Sequence, residues 1–281
     1  MPHFSGNNGA IPCSCCSGNV FKPSLECEGF NYVRCVSCGL VQRNPQPAKE
    51  EIIERYAQTY GRDYLSYELE NEKSFLKLQE LALGDMNFAK LEKKLFARCG
   101  KEPPSILDIG CATGALLETL RGRGWRVTGV EISPCAEYAQ KERALDIKTL
   151  PLEETGFSAN TFDVIHASHL IEHLNDPRSL LLEAFRILKK DGYLFITTPN
   201  IDGFQVSLFG SRWRSAIFDH LYLFSKRTLK DLLKRTGYSV KKISTWGGLA
   251  AGFAPLWIKK PVDFLVKPLG IGDVMIICAR K

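Results

Sequence analysis

Three sets of residues in this chain have the types and spacing to do chemistry. The first is an acid, a small-residue loop and a second acid: Asp108, then Gly110-Cys111-Ala112-Thr113-Gly114, then Glu131. Glycine in such a loop lets backbone approach a ligand, because no Cβ intervenes. A carboxylate beyond it can accept hydrogen bonds from two ribose hydroxyls. The second set is His169, His173 and His220, whose imidazoles titrate near neutrality and suit a general base. The third is Cys13, Cys16, Cys35 and Cys38, two C-x2-C pairs separated by eighteen residues. That spacing suits a four-thiolate zinc site, which is closed to water and therefore structural.

The elements that must position the first set are legible. Ser105–Ile109 is a short apolar strand, a helical pattern follows the loop, and a second strand, Arg126–Val130, ends at Glu131. This is the opening of a nucleotide-binding βαβ unit. A dinucleotide fingerprint requires glycine where this chain has Ala112, and Asp108 is a poor neighbour for a pyrophosphate. Asp108 is a good neighbour for an ammonium group. S-adenosylmethionine (SAM) carries an adenosine, an amino acid and a sulfonium, and no phosphate.

The run LDIGCATGALLETL resembles the SAM-binding loop of class I methyltransferases. The resemblance continues at Phe162-Asp163-Val164-Ile165, Ile171-Glu172-His173-Leu174 and Thr198-Pro199-Asn200, and covers most of the chain beyond residue 100. It implies an α/β fold, a Rossmann-like doubly wound seven-stranded sheet with a small N-terminal zinc ribbon. It implies SAM as cofactor, held by Asp108, Gly110, Cys111, Gly114, Glu131 and Ile132. Leu152 and Glu153 are then the adenine contacts, and Ser168 and His169 stand at the C-terminal end of the fourth strand, where open α/β sheets bind ligands. The remaining strands are expected at Ile147–Thr149, Thr161–Ala167, Tyr193–Thr198, Tyr238–Ser244 and Asp273–Ala279.

Methyl transfer to a hydroxyl needs a base, and His220 ranks ahead of His169 and His173. His220 follows Asn200–His220, an irregular aromatic insertion expected to wall the acceptor pocket. His173 is expected to be structural. Four-cysteine methyltransferases with a His-Leu-Tyr-Leu-Phe-Ser stretch resemble bacterial enzymes acting on sugars, polysaccharides or secondary metabolites, which implies a small-molecule, sugar or lipid-linked acceptor. A non-catalytic scaffold using the ribbon to bind a partner, and an NAD-dependent oxidoreductase, are the alternatives.

The domain division is a ribbon over 1–47, a helical linker and lid over 48–102 and the SAM domain over 103–281. Glu50–Tyr60 has helical spacing, and a longer pattern runs from Tyr67 to Arg98 with a break at Gly84. Tyr60, Tyr64 and Tyr67 are candidate lid residues. Gly18 and Gly39 follow the cysteine pairs where a turn needs positive φ. A helix is expected from Asp176-Pro177 to Lys190. The stretch from Trp257 to Pro268 mixes aromatics, lysines and prolines; it reads as a surface loop with peripheral membrane contact as its alternative. At 281 residues, 44% hydrophobic, 24% charged and net +6, the chain has the composition of a globular protein with no nucleic-acid signal. It shows no membrane span and no signal peptide, so a cytoplasmic location is expected.

Overall fold

A computed structural model describes residues 11–48, 51–52, 61–248 and 255–281. Eleven strands among these form two sheets. In the larger, the order is β10(Ser239–Trp246), β11(Val274–Arg280), β8(Leu188–Pro199), β7(Phe162–Ser168), β4(Ser105–Ile109), β5(Arg126–Val130), β6(Ile147–Lys148). Only β11 runs antiparallel to its neighbours, β8 and β10. All seven strands expected from the sequence are present.

Alternation builds both faces of this sheet. Ile106, Val164, Phe195 and Ile276 point into one apolar layer, with Leu117 and Trp125. Leu107, Ile165, Ile196 and Ile277 point into the other, with Leu181 and Leu229. The period-two register of β4 on β7 aligns Ile106 with Val164 and Leu107 with Ile165, so each layer is continuous across strands. The chain winds outward from β4 through β5 to β6 and returns to β7 on the other side of β4. That reversal opens a crevice at the C-terminal end of β4.

The smaller sheet is antiparallel: β1(Phe21–Cys27), β2(Phe30–Cys35), β3(Val41–Arg43) and β9(Tyr222–Leu223). Its fourth strand comes from late in the chain, with Val41 opposite Leu223 and Gln42 opposite Tyr222. The ribbon is therefore stitched into the larger domain, and its buried cysteines share a core with Tyr222, Phe224 and Leu229.

Several elements differ from the sequence reading. The long N-terminal pattern splits into α1(Gly61–Asp85) and α2(Phe88–Cys99), and the break is at Asn87, in left-handed conformation with φ 58°, not at Gly84. Only residues 51–52 of the Glu50–Tyr60 helix, and not Tyr60, lie within the described residues. Helix α5(Pro177–Ile187) starts as expected, capped by Asp176, but stops before Lys190 because β8 already begins at Leu188. The insertion Asn200–His220 is partly regular: α6(Phe204–Phe209) and a 3₁₀ turn, Gly210–Arg212. Trp213 anchors it by donating to the buried Asp273 carboxylate. The Trp257–Pro268 stretch is a helix, α8(Leu256–Leu269), in spite of Pro261 and Pro268. Each proline removes one amide donor and the rest of the ladder carries the turn. Trp257, Leu265 and Leu269 are exposed on it. No helix among the described residues is long and apolar enough to cross a membrane.

Candidate functional site

The loop after β4 takes positive φ three times, at Gly110 (72°), Ala112 (46°) and Gly114 (78°). A Cβ at Gly114 would sit 2.5 Å from a Leu145 methyl, so a side chain here would have to displace Leu145 as well as adopt the left-handed backbone. Glu131 stabilises the turn. Its Oε2 accepts from Ala112 N–H at 2.9 Å and its Oε1 from Ser133 N–H at 2.8 Å. Each oxygen keeps a second lone pair for a ligand hydroxyl.

This loop floors a cleft of about 1310 Å³. Gly110, Glu131, Ile132, Leu152, Glu153, Ser168, His169, His173 and His220 all face it. Asp108, Cys111 and Gly114 do not line it. Asp108 is 2% exposed beneath the loop and accepts from His166 Nδ1 at 2.7 Å. Cys111 is buried, which with the neighbouring Asp108 and Glu131 charges pushes its thiol well above the usual range. Helix α1 covers the cleft with Tyr64, Tyr67 and Glu68. The helix is tied down by Glu72, which accepts from Thr113 Oγ1 at 2.6 Å and from Arg143 at 2.8 Å.

The charge in the cleft discriminates between ligands. Glu68, Glu131, Glu153, Asp176 and Asp219 face it, and Arg214 is the one Lys or Arg among the described lining residues. Burial, with the charges of Glu131 and Glu72, pushes Glu68 up. Such a surface suits a sulfonium and an ammonium and disfavours a pyrophosphate. The residues present therefore fit SAM.

At the C-terminal end of β7, His169 occupies a left-handed conformation, φ 52°, with its side chain 49% exposed. Strain of that kind at a strand end belongs to sites that aim a side chain. Its Nδ1 lies 3.3 Å from Glu172 Oε1, and Glu172 is fully buried. Glu172 Oε2 accepts from Thr198 Oγ1 at 2.9 Å, which joins the Ile171-Glu172-His173 and Thr198-Pro199-Asn200 motifs. Burial would raise the Glu172 carboxyl, but hydrogen bonding from His169 and the surrounding imidazoles bring it down to about 2. His220 is 7% exposed and its Nδ1 donates to Ser215 O at 2.8 Å; burial first, then the neighbouring His173, bring it down to about 4. His173 donates from Nδ1 to Asp219 O at 3.0 Å and is also held below its usual range by burial. The ligand atoms of Glu172, His173 and His220 lie within 4.8 Å of one another, and the two rings meet edge to face at 4.7 Å.

Sequence reasoning did not assign roles to Glu68, Glu72, Glu172 or Arg214. Glu172 stood inside a quoted motif, and its spacing of three residues from His169 was the available signal. Glu68 and Arg214 reach the cleft, and Glu72 reaches Thr113 and Arg143 beside it, only through tertiary packing.

The four cysteines converge. Cys13 and Cys38 sulfurs are 3.4 Å apart, Cys16 and Cys35 3.5 Å, and all four lie within 4.8 Å. A tetrahedral ion with metal–sulfur bonds of about 2.3 Å sets sulfurs about 3.8 Å apart. The donor set therefore fits zinc. Cys15 is buried nearby but outside this group, and Cys27 Sγ contacts Ser211 O at 3.9 Å instead. The turn residue with positive φ after the first pair is Ser17 (59°), not Gly18; after the second it is Gly39 (84°), as expected. The Ser17 amide closes the first turn on Cys13 O at 2.7 Å.

Comparison with known proteins agrees with this architecture. A ubiquinone biosynthesis O-methyltransferase of Haemophilus ducreyi is 30% identical over 129 residues, 42% of this chain and 53% of that protein. The mitochondrial enzyme of the same name from Bos taurus is 36% identical over 105 residues, 34% of this chain and 28% of that protein. In the first of these matches, the chain spans about half the length of the curated relative. The crystal structure of a SAM-dependent methyltransferase from Thermotoga maritima superposes with a TM-score of 0.52 at 23% identity, over 74% of this chain and 96% of that one, and has the same fold. The profile of the methyltransferase-domain family matches residues 85–243, more than half of the chain, and with the strand order, the loop and the second-strand acid in place, the chain belongs to that family.

Proposed function

We propose that this chain transfers a methyl group from SAM to a hydroxyl of a small molecule, with His169 as general base and Glu172 as its positioning residue. The observation that carries the reading is a single cleft in which the Gly110–Glu131 cradle and the His169–Glu172 pair both open. SAM supplies an electrophilic methyl, so the protein's task is alignment and removal of the acceptor proton. Glu131 and Ile132 hold the ribose side, Leu152 and Glu153 the adenine side, and Glu68 adds negative charge toward the cationic end. Glu172 Oε1 lies 3.3 Å from His169 Nδ1, so a proton on Nδ1 faces the carboxylate and Nε2 keeps the lone pair that takes the hydroxyl proton. The same carboxylate then stabilises the imidazolium formed. His220 is enclosed, its Nδ1 is committed to a carbonyl, and a base near 4 pulls weakly at neutral pH. The geometry therefore favours His169 over the sequence-based ranking.

The O-methyltransferases among its relatives support a hydroxyl acceptor. Tyr67, Leu78 and Ile217 present exposed apolar surface to the cleft, which favours an acceptor with an aromatic or lipid portion, or a lipid-linked sugar. We read Cys13, Cys16, Cys35 and Cys38 as ligands of one structural zinc, within a ribbon of 1–47, a helical lid of 48–102 and a catalytic domain of 103–281. Calorimetry with SAM and NAD, followed by transfer of labelled methyl to a panel of phenols, sugars and lipid-linked hydroxyls, tests the reading. Binding of NAD and not of SAM would refute it.

A further inference from the structure

The ribbon reaches the acceptor side of the cleft chiefly through the segment 217–223, with one further bond from Asn175 Nδ2 to Pro47 O at 3.0 Å. Tyr32, on β2 and 1% exposed, shares its hydroxyl hydrogen between Ile217 O at 2.9 Å and His220 O at 2.8 Å. Arg43, on β3, donates from Nη1 to Phe218 O at 2.9 Å and lies 3.7 Å over the Phe218 ring. Its own amide donates to Leu221 O at 2.8 Å, and the β3–β9 pairing continues that contact. The opposite side of the same segment supports the residues around Glu172. Leu221 N–H donates to Glu172 O at 2.7 Å, Asp219 O accepts from His173 Nδ1 at 3.0 Å, and the Tyr222 hydroxyl donates to Asn175 O at 2.8 Å. Ile217, Asp219 and His220 themselves line the cleft.

From this two-sided arrangement we infer that the ribbon is a positioning element of the acceptor site, in which Tyr32 and Arg43 set the place of the 217–223 strap and, through it, of Glu172 and His173. The inference rests on the methyl-transfer reading above for its consequence, and on hydrogen bonds alone for its geometry. A ribbon serving only to bind a partner would not need its single tyrosine buried and committed to the backbone at His220. Alignment is sensitive at this scale: a misplacement of about 1 Å can lower a rate by about a hundredfold.

Tyr32→Phe deletes one hydroxyl and leaves the ring in place. With a methyl acceptor, kcat should fall about 10- to 100-fold while KM for SAM stays at the wild-type value. Tyr238→Phe is the matched control. Its buried hydroxyl donates to Leu181 O at 3.1 Å and touches neither the strap nor the 169–175 loop, so kcat should not change. Two readouts do not depend on turnover: the ring resonances of His173 and His220, and amide hydrogen exchange at Leu221. Tyr32→Phe should shift the resonances and speed exchange, and Tyr238→Phe should do neither. If Tyr32→Phe fails to fold, Arg43→Lys, which keeps the charge and gives up the planar guanidinium over Phe218, is read in the same way. If the wild-type protein transfers no methyl group, the functional reading falls, and the resonances and exchange still decide the positioning. Unchanged resonances and exchange in the folded variant, or equal changes in Tyr238→Phe, would overturn the inference.

Discussion

Replacing Glu172 with Gln removes a charge and keeps the shape. Glu172 is fully buried, with Oε2 on Thr198 and Oε1 against His169. Its carboxyl falls from 4.5 unfolded to about 2 folded. At about 1.4 kcal/mol per pKa unit, that difference makes ionised Glu172 worth about 3 kcal/mol to the fold. This is a ceiling at neutral pH, because burial keeps His173 and His220 largely uncharged there. The sign follows from the direction: a depressed acid stabilises the fold above its unfolded pKa, and the contribution fades as pH falls from 4.5 toward 2. Urea unfolding at pH 7 should therefore place Glu172→Gln up to about 3 kcal/mol below wild type. The gap should narrow at pH 4 and below. In turnover, Glu172→Gln should lower kcat by about tenfold or more, because His169 loses the partner that fixes its tautomer and stabilises its charge. SAM affinity should hold. A variant with wild-type kcat, or with a stability deficit that does not shrink on acidification, would refute this account of Glu172.

His169→Ala should lower kcat by about 10²–10⁴, the range of general base catalysis, with SAM affinity unchanged in calorimetry. His220→Ala should act chiefly on stability, since the ring is enclosed against His173 and Ser215, and thermal unfolding will show it. Glu131→Ala should weaken SAM binding by about 1–3 kcal/mol, the range for hydrogen bonds to a charged group, and calorimetry measures it directly. Purified protein should contain about one zinc per chain by metal analysis, with Cys35→Ser losing it and Cys27→Ser retaining it.

The central sheet was legible because its signals are local. Ser105–Ile109 and Phe162–Ser168 are short apolar runs bounded by turn residues, and a buried parallel strand needs little else. The elements that were misread depend on partners distant in sequence. Proline-bearing α8 reads as a loop because proline lowers helix propensity. The 200–220 insertion reads as irregular, yet Trp213 and Arg214 fasten it to Asp273, some sixty residues away. No composition rule could pair Tyr222 with Gln42 across the ribbon, since two-residue strands carry no periodicity.

The site shows the same division. Glu131 was found because a βαβ unit places its acid at a fixed point on the second strand, and backbone geometry does the rest. Choosing among three histidines is a different problem. His169, His173 and His220 are equal candidates as residue types, and what separates them is exposure and the partner on Nδ1. Two of the three face a backbone carbonyl through Nδ1. His169 alone faces a carboxylate there, and it alone has a half-exposed side chain. A carbonyl and a carboxylate at Nδ1 each fix a tautomer; the half-exposed side chain is what lets His169 meet an acceptor hydroxyl. This placement arises where β7 ends in a left-handed residue that turns His169 back over Glu172, a conformation that an L-residue reaches only when the surrounding fold imposes it.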